Sequence, residues 1–459
     1  MIISRGEAVR NFLYSDTLKI LTANARVTLL SVVSDARLLG PYRHGVERII
    51  FFQQNKESKW LLYLRKIIEE AHFAWLKSAV AKNHLEILEA KAVTILKKLK
   101  LYIEKIVYRI FAHQQILEWL TRLENYLTWR ARSNDYFPDL FRQLKPDIVF
   151  NCSHIHGPAA ELPVKIAYRM NIPTAGFIFS WDNLTSRSRI LTPYNYYFVW
   201  YENMKKQLLS IYPRIRPENV FITGTPQFDF HFQKKFQLSR EELYDKAGLD
   251  PERSFILYTT GIARHFPEEY RMVEEVIRIL GKIAPGRRPQ LALRPYIKDT
   301  SPQMDELIRE NSSDMVCVPM LWERRKFTPL YEDIFLYTGL LRHCCLGINP
   351  ASTVSLELLM YGKPVINLGF DPPGISLPRY LGWIRHIRFD HYRLVAESGA
   401  VSVAYSAADL EEMIFQSLEN PGRQSNIGRN FIRGMFGNTL DGNSGIRVAE
   451  QLLKLARRK

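Results

Sequence analysis

Short runs rich in β-branched and aromatic residues recur along this chain with longer helix-period segments between them, and this alternation constrains the fold more than any other feature. A helix that joins two strands of one sheet carries the chain back to the edge it started from, so the strands run parallel. The pattern therefore predicts an α/β protein with parallel sheets covered by helices. In the first half the strand runs fall at 2–4, 27–34, 148–152, 174–180, 196–200 and 220–223. A second series follows at 255–259, 290–294, 315–318, 346–349, 364–368 and 401–404. Between them KKFQLSREELYDKAGLDPERS, at 234–254, is polar, charged and broken by Asp-Pro, as a domain junction is. With 459 residues the chain exceeds what one core needs. We expect one domain at 1–235, a second at 236–435, and a terminal helix at 436–459 that can return to the first.

One stretch departs from the rhythm. From about 53 to 144 the chain is helix-period almost throughout, which predicts a helical insertion in the first domain. Within it Lys91, Lys97, Lys98, Lys100, Lys105 and Arg109 face one acid, Glu104, while Leu, Ile and Val recur at helical spacing. That pattern fits a helical layer packed on the first sheet with a solvated basic face, and it also fits helices lying against an anionic membrane surface. The formal charge of +16 favours anionic partners but does not choose among them. No window of about 18 apolar residues occurs, so a spanning helix is not expected. The N-terminus has no secretory pattern, and Cys152, Cys317, Cys344 and Cys345 have neither zinc nor disulfide spacing, which together point to the cytoplasm. No nucleic-acid recognition module accompanies the basic charge.

The richest chemistry lies in LGINPASTVSLELLMYGKPVINLGF, at 346–370, which reads as strand, turn, helix, turn, strand. Ser352 and Thr353 fall in the first turn of the helix, whose amides and dipole favour a phosphate. Glu357 falls one turn beyond Thr353 on the same face, where a carboxylate can bridge two ribose hydroxyls. An ordinary capped helix would look the same. FILYTTGIARHF, at 255–266, ends a strand in Thr260 and Gly261 and continues into Arg264, while QLALRPY places Arg294 at the end of the next strand, within reach of the same phosphates. There is no Asp-x-Asp pair, no Walker loop and no Gly-x-Gly-x-x-Gly run, so neither a metal nor another cofactor is expected.

These segments, with SRGEAVRNFLYSD at 4–16, SWDNLTSR at 180–187, VWYENMKKQ from Val199, GTPQFD at 224–229 and DGNSGIRVAEQLL from Asp441, resemble the GT-B glycosyltransferases, in particular the bacterial surface-polysaccharide and CDP-glycerol glycerophosphotransferase-like branch. The resemblance implies two Rossmann-like domains facing a cleft, a nucleotide-sugar donor on the C-terminal one, and a glycan or lipid-linked acceptor against the N-terminal one. It implies sugar transfer in cell-envelope polysaccharide synthesis, expected without a metal from the missing Asp-x-Asp pair, in the cytoplasm, with the basic helices near 91–109 leaving attachment to the inner face of the cytoplasmic membrane open. Tyr296 stands where that branch often has a histidine after Arg-Pro, which weakens the polyol-phosphate version. Transfer needs a base for the acceptor hydroxyl. Asp182 is preferred and His156 is next, with His154, Trp181, Arg5 and Asp16 as acceptor-side or phosphate-side candidates. Other readings are a CDP-activated polyol-phosphate transferase, a UDP-N-acetylglucosamine 2-epimerase-like enzyme, and a non-catalytic binding or scaffold protein that keeps the fold.

Overall fold

The computed structural model describes residues 1–52, 57–132, 136–155, 158–297, 301–422 and 424–457. The chain forms two compact units, Met1–Asp229 with Asn443–Lys459, and Phe230–Gly442.

Unit 1 is built on a seven-stranded parallel sheet of β1 (Ile2–Ile3), β2 (Thr28–Ser31), β3 (Arg48–Phe51), β4 (Val149–Asn151), β5 (Thr174–Phe177), β6 (Tyr196–Val199) and β7 (Val220–Ile222). Their order is β3-β2-β1-β4-β5-β6-β7. Six of these strands match the expected runs. The seventh, β3, is an edge strand paired on one side only and half exposed, so it lacks the continuous buried run that marks its neighbours. Phe12, Phe150, Phe177 and Phe198 pack edge to face through the core.

The insertion consists of helices Lys59–Leu76, Ala79–Lys91, Ile95–Phe111, Gln114–Arg132 and Tyr136–Leu144. Ser58, Ser78 and Thr94 cap the first three by accepting from backbone amides at 3.2, 3.1 and 3.3 Å. A buried ion cluster ties this layer to helix Pro158–Arg169: Glu124 accepts from Arg65 at 2.7 Å and from Lys165 at 2.6 Å. Burial pushes the Glu124 carboxyl up, but Lys165 and Arg65 outweigh it and hold the group below its ordinary range.

The terminal helix Ser444–Ala456 belongs to unit 1, and its anchor explains two of the sequence motifs. Asp229, from GTPQFD, accepts from the Ser444 and Gly445 amides at 2.9 and 2.7 Å, capping the helix. Burial raises the Asp229 carboxyl to about 6 even so. Arg447 donates to the Thr223 carbonyl at 2.8 Å. A Cβ at Gly445 would stand 2.9 Å from the Thr17 hydroxyl, so glycine is what lets the returning backbone come this close.

Unit 2 carries a six-stranded parallel sheet of β8 (Phe255–Thr259), β9 (Gln290–Arg294), β10 (Met315–Cys317), β13 (Leu346–Asn349), β14 (Val365–Leu368) and β15 (Ser402–Ala404), ordered β10-β9-β8-β13-β14-β15. All six lie on expected runs. A two-stranded antiparallel hairpin, β11 (Trp322–Glu323) with β12 (Thr328–Pro329), was outside the expectation because two-residue strands are too short to show a period. The core joins Ile256, Tyr258, Leu291, Leu293, Ile348 and Ile366 of the strands to Met272, Val276 and Ile279 of helix Glu269–Leu280.

In each sheet the strand order reverses once, between β1 and β4 in unit 1 and between β8 and β13 in unit 2. Connections leave in opposite directions at such a point and open a crevice at the carboxyl ends of the strands, where open α/β sheets bind ligands.

Candidate functional site

In unit 2 the crevice opens beyond Thr259 and Asn349, the last residues of β8 and β13. The chain turns sharply after β13 through Ala351, at φ 52°, a left-handed conformation unusual for a residue with a Cβ. Helix Thr353–Met360 then begins. Ser352 is its N-cap rather than part of its first turn, and its hydroxyl accepts from the Val354 amide at 3.2 Å. Thr353 is the first helical residue. Asn349 organises the turn: its Oδ1 accepts from the Ser352 amide at 3.0 Å, the Ser355 hydroxyl at 3.0 Å and Asn367 Nδ2 at 3.1 Å. Tyr392 completes the web by donating within reach of both Ser355 Oγ at 2.7 Å and Asn367 Oδ1 at 2.8 Å. The web is uncharged and buried. Asn349, Asn367 and Tyr392 were not among the sequence candidates, and an asparagine ending a strand before a Ser-rich turn is the signal that could have marked Asn349.

Three neighbouring strands each end in a buried side chain with an unpartnered polar atom: Thr259 Oγ1 on β8, Arg294 Nε on β9 and Asn349 Nδ2 on β13. A buried polar group without a partner carries a desolvation cost of about 1–3 kcal/mol, so these three strand ends hold unsatisfied polar groups side by side.

Several expected ligand contacts are otherwise engaged. Arg294 is buried and ion-paired with Asp333 through Nη2 at 2.7 and 2.9 Å, with its guanidinium over the Tyr337 ring. Asp333 also accepts from the Leu321 amide and Trp322 Nε1, so the expected bidentate grip on phosphate is replaced by a grip on a carboxylate. Both Glu357 oxygens are in use: Oε1 lies 3.1 Å from His231 Nε2, and Oε2 accepts from the Tyr337 hydroxyl. A carboxylate has about four acceptor positions, which leaves capacity for a further donor. The Gly261 amide donates to the Glu269 carboxylate at 2.9 Å, and a Cβ there would stand 2.1 Å from the Phe266 ring, so glycine at 261 serves packing rather than ligand approach. Thr260 is held by its own strand ends, its hydroxyl accepting from the Tyr296 amide at 2.7 Å. Arg264 is exposed, beside His265 at 3.1 Å.

In unit 1 the carboxyl ends of β1, β4 and β5 bring Arg5, His154 and the 179–186 turn together. Arg5 pairs with Glu7 and lies over the Phe179 ring at 5.4 Å. The Phe179 amide donates to His154 Nδ1 at 3.2 Å, which leaves the ring proton on Nε2. Burial holds His154 far down, at about 3, so it stands neutral and is a poor proton acceptor at neutral pH. Asp182 is half-buried; Oδ1 accepts from Ser180 and Oδ2 from the Ser186 hydroxyl at 2.6 Å. Trp181 is 3% exposed and belongs to the core, which removes it as an acceptor platform. Asp16 sits in the first turn of helix Asp16–Asn24, where its charge meets that helix's dipole. His156 lies outside the described residues. A cavity of about 350 Å³ lines the opposite, amino ends of these strands, bounded by Met1, Arg26, Asp147 and Arg457, away from every candidate.

No family model matches the chain, and no curated protein does. Solved structures do. Staphylococcus aureus MnaA with UDP aligns at TM-score 0.53 and 12% identity, covering 98% of this chain and 94% of that one. The UDP-GlcNAc 2-epimerase of Neisseria meningitidis bound to UDP-GlcNAc aligns at 0.50 and 13%, covering 99% and 98%. A glycosyltransferase of Rickettsia africae aligns at 0.50 and 12%, covering 99% and 96%. At such identities the likeness shows the fold, which is GT-B.

Proposed function

We propose that this GT-B protein is a nucleotide-sugar enzyme that seats the diphosphate of its donor at the reversal point of the unit 2 sheet. The observation that carries the reading is the row of unpartnered polar atoms on Thr259, Arg294 and Asn349 beside the capped start of helix Thr353–Met360. A polyanion placed there meets the positive end of the helix dipole and a neutral web that does not repel it. Glu357, steadied by His231 and Tyr337, would accept from the ribose hydroxyls. The UDP held by the Staphylococcus protein and the UDP-GlcNAc held by the Neisseria one favour a uridine donor.

Within that reading we assign sugar transfer to a glycan or lipid-linked acceptor of the cell envelope, without a metal, and place the base at Asp182. Unlike neutral His154, it presents a carboxylate that can take a proton. Epimerisation is the second reading, favoured by the Neisseria epimerase bound to UDP-GlcNAc.

The test is a melting scan of the full chain with UDP, GDP, CDP and ADP, repeated on Ser352→Ala and Asn349→Ala. One nucleotide should raise the Tm of the wild type, because a ligand bound only by the native state stabilises it. The rise should shrink in both variants. Absence of any rise sinks the reading. Incubating the responding donor alone then separates the chemistries, since an epimerase returns an isomerised sugar nucleotide and a transferase awaits an acceptor.

A further inference from the structure

Helix Ile95–Phe111 packs on the insertion by one face and leaves the opposite face uncovered. Tyr108 is its buried residue, and Glu104 on the same side meets Lys66 of helix Lys59–Leu76 at 3.4 Å. Ile95, Leu96, Leu99, Tyr102, Ile103, Ile106 and Ile110 are instead 43–85% exposed. At 3.6 residues per turn these seven fall within an arc of about 120° and form a stripe about 23 Å long. Large apolar side chains scattered singly on a surface need no account, but a continuous stripe marks a binding face.

The borders of the stripe identify the occupant. On the same projection Lys98 and Arg109 line one edge and Lys100 the other, while Lys105 is paired with Glu89 of helix Ala79–Lys91 at 2.6 Å and the helix's sole acid, Glu104, is turned to the packed side. A second copy of the chain would bring the same cations against these cations. An anionic bilayer offers acyl chains to the stripe and headgroups to its borders. Trp60, 83% exposed, opens the neighbouring helix with the aromatic type favoured at lipid headgroups. No helix among the described residues is long and apolar enough to cross a membrane, so this one would lie in the interface plane.

We infer that helix Ile95–Phe111 docks unit 1 onto an anionic lipid surface, with the seven apolar side chains in the headgroup–acyl boundary and Lys98, Lys100 and Arg109 on the phosphates. The inference stands apart from the donor reading and uses none of its residues.

The experiment is co-sedimentation of the full chain with phosphatidylcholine vesicles, with and without phosphatidylglycerol. The wild type should pellet with the anionic vesicles and detach as salt rises. Leu99→Ser/Ile103→Ser/Ile106→Ser, on an exposed face, should keep the circular dichroism spectrum and Tm yet bind at least about 100-fold more weakly. Lys98→Gln/Arg109→Gln should lose roughly 30-fold. Wild type that stays in the supernatant, or a triple variant that binds as wild type does, overturns the inference. So does a dimer, seen by sedimentation equilibrium without lipid and dissolved by the triple variant, in a protein that ignores vesicles.

Discussion

The two sheets reverse their strand order in the same way, yet the crevices they open are furnished differently. At the unit 1 reversal charged or titratable side chains are engaged, Arg5 with Glu7, His154 with the Phe179 amide and Asp182 with two serine hydroxyls, and Ser4 Oγ just past β1 is the unpartnered atom beside them. At the unit 2 reversal the side chains nearest the turn are amides and hydroxyls held by Asn349, and the strand ends carry unpartnered polar atoms. Topology supplies the crevice in both cases. Both reversal strands β4 and β13 end in asparagine, so the difference lies in the residues that follow: Arg5, His154 and Asp182 stand two to five residues beyond their strands in unit 1, whereas a capped helix start follows Asn349 in unit 2. In unit 2 Arg294 is ion-paired with Asp333, and Glu357 is held by hydrogen bonds to His231 and Tyr337.

That contrast can be broken by experiment. The largest effect should come from Asp182→Asn: turnover should fall about 10²–10⁴-fold, the worth of a positioned general base, with donor affinity nearly unchanged. Full activity in that variant would place the base elsewhere, His156 first. Arg294→Ala should cost about 3–5 kcal/mol in urea unfolding, because it strands the buried Asp333 carboxylate. If stability were unchanged while nucleotide binding vanished, Arg294 would serve the ligand alone and its pair with Asp333 would not hold the fold. Glu357→Ala, followed by calorimetric titration with the responding nucleotide, should weaken binding by about 1–3 kcal/mol, the range for hydrogen bonds to a charged group together with the loss of its partners. Unchanged affinity would leave Glu357 as an anchor for His231 and Tyr337 alone.

The alternation of short apolar runs and helix-period segments was enough to find twelve strands, the α/β class and the helical insertion, because these depend on periodicities of two and 3.6 residues that any window of sequence displays. Ser352 was legible as the start of a helix for the same reason: a cap and the amide it accepts from are two residues apart. The amphipathic lysine-bordered stretch near 91–109 was also visible, but whether its apolar side was covered was not. Edge strand β3 and hairpin β11–β12 escaped because one is half exposed and the other too short.

What the tertiary structure alone decided is which groups are already spoken for. Arg294 finds Asp333 39 residues away, Glu357 finds His231 126 residues away, and Asp229 caps a helix 215 residues later in the chain. A sequence states that an arginine, a glutamate or an aspartate is present; the fold sets its partners, because burial makes an unpaired charge costly and pairs it with whatever packing brings near. The same packing left seven apolar residues of helix Ile95–Phe111 43–85% exposed, and that remainder of unburied surface is what no local pattern could have revealed.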